Sequence, residues 1–245
     1  MRPQQLVFTT HLFDGRRYYN FIRTNLKEVH GWETHLRSVR DVYVDVKRRW
    51  PGVSAELKRR FDHANEVLLP SFDYQYVTDG LPLDADDYYM YVVYRQRGGL
   101  TFTAAKYSEF DKLSSKHFTM HLLTEIIDAQ TTDQAKEAFL DSWFLCGGIM
   151  KLCPNNVVYV DAMSGSYNPG NKQLWTTSDL LNNSFPDRQF IPVTEFDLIN
   201  SPKDCEVVRR HPDSTEIDDM RRTNRTTEGT KWEVFDGNLE KVDRW

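Results

Sequence analysis

The apolar positions along this chain change period repeatedly, and each change marks an element. Trp32, Leu36, Val39, Tyr43, Val46 and Trp50 recur at alternating spacings of four and three. That spacing puts all six on one stripe and predicts a helix over 32–50, ended by Pro51-Gly52. Ser54 is a suitable N-cap, and Leu57, Phe61, Ala64 and Leu68 give the stripe of a second helix. The short Pro-Gly link between the two predicts an antiparallel helical hairpin over 32–69. The period then shifts to two. Phe72, Tyr74 and Tyr76 alternate as in a half-buried strand. Tyr88 to Arg97 and Leu100 to Lys106 flank Gly98-Gly99, a hairpin signal because both glycines accept positive φ. Tyr88, Met90, Val92 and Tyr94 share one face of the first arm, and Tyr89, Tyr91 and Val93 the other. Two apolar faces predict a strand inside the sheet, covered on both sides.

Further on, Ser108-Glu109-Phe110-Asp111 resembles a capping box and predicts a helix from 110 to about 129. Thr132 is the expected cap of the next helix, which would run to Cys146 and stop at Gly147-Gly148. Val157 to Asp161 reads as a strand, residues 164–170 as a long loop, and Gln189 to Val193 as a shorter strand. From Ser201 the chain is polar, with little to bury. Trp232, Val234, Asp236-Gly237, Leu239 and Val242 then read as a last hairpin, ending on Trp245. Because the helices come in pairs and do not alternate singly with strands, the fold class is α+β. The expected architecture is a mainly antiparallel sheet covered by paired helices. It occupies a single domain over 1–200, with a polar C-terminal arm over 201–245 that ends in a β-hairpin.

Composition sharpens this in two places. With 40% apolar and 13% aromatic residues, the chain is not a wholly disordered one. Its net charge of −5 is a sum of opposites: residues 1–70 hold 13 Lys/Arg against 8 Asp/Glu, and the remainder is acidic. A uniformly basic nucleic-acid binder is excluded, a local basic face is not. The most apolar run, Trp143 to Met150, is far shorter than the ~20 residues of a membrane span. Leu6-Val7-Phe8 is too short for the apolar core of a signal peptide. Three widely spaced cysteines, Cys146, Cys153 and Cys205, are an odd number and read as reduced thiols. Together these features predict a cytoplasmic or intracellular protein with no membrane partner.

The most specific chemical pattern is His117, His121 and Glu125 at steps of four, with Asp128 beyond. Each step of four advances about 40° on a helix, so these side chains stack along one face. With Ser114 and Thr124 they span about 100°, bordered by Phe118, Leu122 and Ile126 on one side and Leu113, Met120 and Ile127 on the other. Two histidines at i and i+4 can chelate Zn or another transition metal, with Glu125 as third ligand or acid–base group. The bland alternative is a solvent-facing stripe on a mostly buried helix. No other cofactor is expected.

A second pattern is basic. Lys47-Arg48-Arg49-Trp50 and Lys58-Arg59-Arg60-Phe61 repeat, with Arg37 and Arg40 nearby, as a phosphate grip would. Interleaved Asp41, Asp45, Glu56 and Asp62 equally describe a salt-bridged surface. Asp84-Ala85-Asp86-Asp87 reads as a cation site or, more simply, a turn before the strand at Tyr88. Asp161 stands at the end of a buried strand before a Gly/Ser loop, where α/β enzymes often place a catalytic acid. No phosphate-binding loop, dinucleotide fingerprint, nucleophile elbow or HExxH occurs.

Three functional readings follow. The first is a structural or assembly subunit of a larger complex, viral or phage-like in style. It would work through contacts with other protein chains or its own copies, using Trp32, Trp50, Trp232 and Trp245. The second is a metal-dependent, hydrolase-like enzyme using His117, His121 and Glu125, with Asp128 or Asp161 in support. The third is nucleic-acid binding through the basic helical hairpin.

Overall fold

A computed structural model describes residues 5–12, 17–49, 51–52, 55, 73–77, 81, 83–84, 87–96, 99–110, 116–129, 131–153 and 156–193. At its centre are two long apolar strands, β5 (Tyr88–Gln96) and β6 (Gly99–Lys106), paired antiparallel from Tyr89↔Lys106 to Gln96↔Gly99. The hairpin is where the alternation and glycines place it, with Gly99 (φ 124°) opening the second arm. Both faces of β5 are covered. Met90, Val92 and Tyr94 belong to one apolar cluster, and Tyr89, Tyr91 and Val93 to another.

Around this hairpin the sheet extends both ways. Strands β1 (Gln5–Leu12), β2 (Arg17–Asn25), β3 (Arg37–Ser38), β4 (Asp73–Val77), β7 (Trp143–Leu152), β8 (Val157–Val160) and β9 (Gln189–Pro192) complete nine strands among the described residues. The order is β4-β1-β2-β6-β5-β7-β8-β9, with the short β3 also pairing with β7. All pairs are antiparallel except β8–β9. Parallel neighbours need a crossover, and helix α5 (Asn171–Ser184) supplies it. The remaining helices are α1 (Val39–Arg49), the single turn α2 (Tyr107–Phe110), α3 (Lys116–Asp128) and α4 (Thr132–Asp141). Side chains from α1, α3 and α4 share one apolar cluster, and those of α5 the other, so both faces of the central sheet are buried. The fold is α+β with a mostly antiparallel sheet, as the sequence predicts.

Several boundaries differ from the sequence reading. The stripe from Trp32 is not one helix. Gly31 (φ 80°) opens a 3₁₀ turn, Trp32–His35, and Arg37-Ser38 then pair with Phe144 and Trp143 of β7 before α1 begins at Val39. Strand pairing outweighs helical spacing there. The helix predicted to reach Cys146 ends at Asp141, and its cap is Thr131, whose side chain accepts from Gln134 N at 3.2 Å. The run expected to end it is instead the central strand β7. Gly147-Gly148 is therefore no helix stop. A Cβ on Gly148 would meet the Asp161 backbone carbonyl and lie 2.5 Å from its Oδ1, so the glycine permits β7 to approach the end of β8. Strands β1 and β2 and helix α5 are additions. Cys153 is disulfide-bonded while Cys146 is free and buried, which corrects the reading of three reduced thiols for Cys153. No described helix is long and apolar enough to cross a membrane. Of the second half of the helical hairpin (54–69) only Ala55, helical and exposed, is described, so Ser54 and Leu57 to Leu68 lie outside the described residues, as does the arm 201–245.

Candidate functional site

Helix α3 is apolar on most of its circumference, and its polar seam faces inward. His117 and Glu125 are each 1% exposed, and His121 and Thr124 are fully buried. The seam is therefore a buried network and not a solvent-facing stripe. Buried polar groups need partners, and the sheet and the loop after β8 provide them.

His121 is the hub. Its Nδ1 lies 2.5 Å from the Tyr167 hydroxyl, and its Nε2 lies 3.3 Å from Ser142 Oγ and 3.4 Å from Glu125 Oε1. The ring sits 3.8 Å, centroid to centroid, from Tyr94 and meets Phe139 edge-on at 5.0 Å. Burial drives the imidazole below its ordinary 6.5, outweighing the upward pull of Glu125. Burial, then the charge of Glu125 among others, pushes the Tyr94 and Tyr167 hydroxyls upward, so both keep their protons. Tyr167 then donates to Nδ1, which leaves the His121 proton on Nε2, facing Ser142 and Glu125.

The directions of the other bonds follow. Ser142 O–H donates to the Phe139 carbonyl at 2.6 Å, so its oxygen presents lone pairs to His121. It is the C-cap of α4, and His121 does not strip its proton. Thr124 donates to the His121 carbonyl at 2.6 Å and thus accepts from Tyr94 at 3.0 Å. Arg23 Nη2 donates to Gln96 Oε1 at 3.1 Å, which turns the Gln96 amide so that its Nε2 donates to Glu125 Oε2.

Glu125 and Ser142 are also where this network meets a cleft of about 1030 Å³. Arg23, Arg95 and Gln96 from β2 and β5 line it, as do Trp32, Glu137 and Asp141 and the half-exposed Trp143. A cleft of this size suits a small organic ligand, since such sites run roughly 300–1,000 Å³. Its floor carries a buried carboxylate whose two oxygens differ. Oε2 is held by Gln96, whereas Oε1 has no hydrogen bond and meets His121 Nε2 at 3.4 Å.

Of the proposed metal ligands, His121 and Glu125 meet at 3.4 Å, and His117 has a different partner. His117 Nε2 lies 3.1 Å from the Gly148 carbonyl, away from the contacts of His121, both of whose ring nitrogens are engaged. Among the described residues no group of three or more His, Cys, Asp or Glu side chains could hold a metal ion. Asp128 is the last residue of α3, and its side chain lies outside what the structure describes.

Asp161 performs structural work. Its Oδ1 accepts from Ile149 N at 2.7 Å and Met163 N at 3.0 Å, which ties the end of β8 to β7. Asp84 and Asp87 meet Lys106 Nζ at 2.6 and 2.7 Å, so the acidic run pairs with a lysine. In the basic set, Arg37 donates to the Tyr167 and Asn168 carbonyls, Arg40 pairs with Glu137 and Asp141, and Arg48 pairs with Asp45. Lys47 and Arg49 are exposed on α1. Lys58, Arg59 and Arg60 lie outside the described residues, as do Trp50, Trp232 and Trp245. Trp32 is 3% exposed and packs within its own chain, whereas Trp143 is 47% exposed at the cleft.

Sequence reasoning finds His121, Thr124 and Glu125 but misses Ser142, Gln96, Arg23, Tyr94 and Tyr167. These come from four other elements or loops, and no local motif joins them. A comparison with protein-family profiles, with curated proteins and with solved structures returns no match in any of the three.

Proposed function

We propose that the protein is an enzyme that works by acid–base chemistry in this cleft, hydrolase-like in class, with Glu125 as the proton-transferring group. One observation carries the reading: a carboxylate buried to 1% exposure stands at the floor of a large cleft with one oxygen anchored and the other without a hydrogen bond. Keeping a carboxylate there costs desolvation energy that a purely structural position would more cheaply avoid with an apolar residue. Such placements mark sites of proton transfer. In a hydrolytic turnover the Glu125 carboxylate takes a proton from a cleft water as the water oxygen bonds to the electrophilic carbon. It then gives that proton to the leaving group as the bond between that carbon and the leaving group breaks. Neutral His121 is a positioning residue, its Nε2–H turned toward Glu125 by the Tyr167 contact at Nδ1.

This reading keeps the hydrolase-like chemistry and the His121–Glu125 pair of the metal-site hypothesis but routes no step through a metal. Of the residues the assembly reading uses, Trp32 is buried within its own chain, and Trp50, Trp232, Trp245 and residues 201–245 lie outside the described residues. The test is a panel of chromogenic esters, amides and glycosides screened with the wild-type chain and Glu125→Gln. Turnover of one class that Glu125→Gln abolishes supports the proposal. Turnover that survives Glu125→Gln, or none across the panel and across pH 5–8, contradicts it.

A further inference from the structure

We propose that the cleft takes an organic cation, a ligand bearing amine or guanidinium groups, with Glu125 as its innermost counter-charge. The inference rests on the acid–base reading of Glu125 for the floor of the site and goes on to name the ligand class. Five acids line the cleft: Glu28, Glu33, Glu125, Glu137 and Asp141. Two arginines oppose them, Arg23 and Arg95. Arg23 is committed to the Gln96 carbonyl, and Arg40 offsets the rim at Glu137 and Asp141 without lining the cleft. The surplus is negative, so an anion entering here meets repulsion and a cation attraction, strengthened by the low-dielectric walls.

Two further observations separate this from a cluster of surface acids. Glu125 lines the cleft, and its Oε1 is buried and accepts no hydrogen bond. An ammonium or guanidinium N–H supplies the donor it lacks, and charge-assisted bonds of that kind are roughly twice as strong as neutral ones. The cleft also carries Trp143, the more exposed of the two large exposed apolar side chains among the described residues, at 47%. Tryptophan is the preferred aromatic partner of an organic cation. A hard metal ion would ask instead for several converging oxygens, and here the acids are spread along α4, the segment after β2 and the 3₁₀ turn, with one on α3.

The experiment is isothermal titration of the full chain at low ionic strength with spermidine as the probe, beside inorganic phosphate, glucose and calcium chloride. The expected result is saturable spermidine binding that weakens as salt is added, with no saturable binding of the other three. Glu125→Gln weakens it at least tenfold, and Trp143→Ala and the exposed pair Glu28→Gln/Glu33→Gln weaken it several-fold. The rim variants decide the matter if Glu125→Gln does not fold. Absence of spermidine binding, binding of phosphate or calcium in its place, or spermidine binding unchanged in all variants overturns the proposal. Should spermidine fail while turnover of a neutral substrate depends on Glu125, the ligand class falls and the acid–base reading stands. Spermidine binding without any turnover reverses that outcome.

Discussion

At Gly148 a single hydrogen atom keeps β7 and the end of β8 in contact. Gly148→Ala places a methyl against the Asp161 carbonyl and Oδ1, both held by hydrogen bonds and unable to yield cheaply. A loss of about 1–3 kcal/mol is expected from overpacking of this kind, read by urea denaturation. Gly147→Ala is milder, its nearest neighbour being Tyr91 O at 3.0 Å. His121 gives a second prediction at this scale. Its folded value lies below the unfolded 6.5, so below that pH the unfolded chain binds more protons than the native one. Stability from this group is fully present above about 6.5 and is lost as pH falls through and below that value. The groups around the ring are Glu125, Ser142, Tyr94, Tyr167 and Phe139. Chemical denaturation of wild type and His121→Asn between pH 5 and 8 checks this: the variant is less stable at pH 8 and shows a shallower fall toward pH 5. The spacing of His117, His121 and Glu125 shows that they share a helix face, but not what that face meets. Burial of the seam depends on β5, β7 and Tyr167, which no local pattern connects to α3.

Elements were legible where one period ran uninterrupted between breakers. Tyr88 to Lys106 alternates on both sides of a Gly-Gly pair, and β5–β6 follows directly. Trp143 to Met150 is a continuous apolar run without a period, which a helix end and a buried strand share equally. Its Gly147-Gly148 suits a helix stop as well as a close strand approach. Helix α5 escapes detection for the opposite reason: Asn171, Gln173, Thr177, Ser178 and Ser184 are buried on it, so its inner face is half polar. Asn182 and Ser178 meet the Phe190 backbone, which fastens α5 to β9 by hydrogen bonds beside the apolar cluster that Leu181 and Phe190 share. The prediction at this scale concerns α4. Its N-cap Thr131 serves Gln134 N, and Thr131→Ala should cost about 0.5–2 kcal/mol. Because α4 carries Glu137 and Asp141 and ends at Ser142, the same variant should leave the cleft's chemistry intact at temperatures well below its lowered Tm. Thermal unfolding beside an activity assay distinguishes loss of the helix from loss of the site.

For the whole molecule, the arrangement joins two apolar layers through one sheet and places the polar network where helix layer, sheet and cleft meet. Two basic residues of the first third are used there: Arg37 and Arg40 stitch the 3₁₀–α1 segment to the loop after β8 and to α4. The central claim is that Glu125 moves a proton in that cleft. The most direct measurement is steady-state kinetics of Glu125→Gln against wild type on whichever substrate class the panel identifies, at equal Tm. The account predicts a kcat lower by about 10²–10⁴ with KM little changed, since one proton-transfer group is worth about that much. A kcat equal to wild type in a folded Glu125→Gln would contradict it.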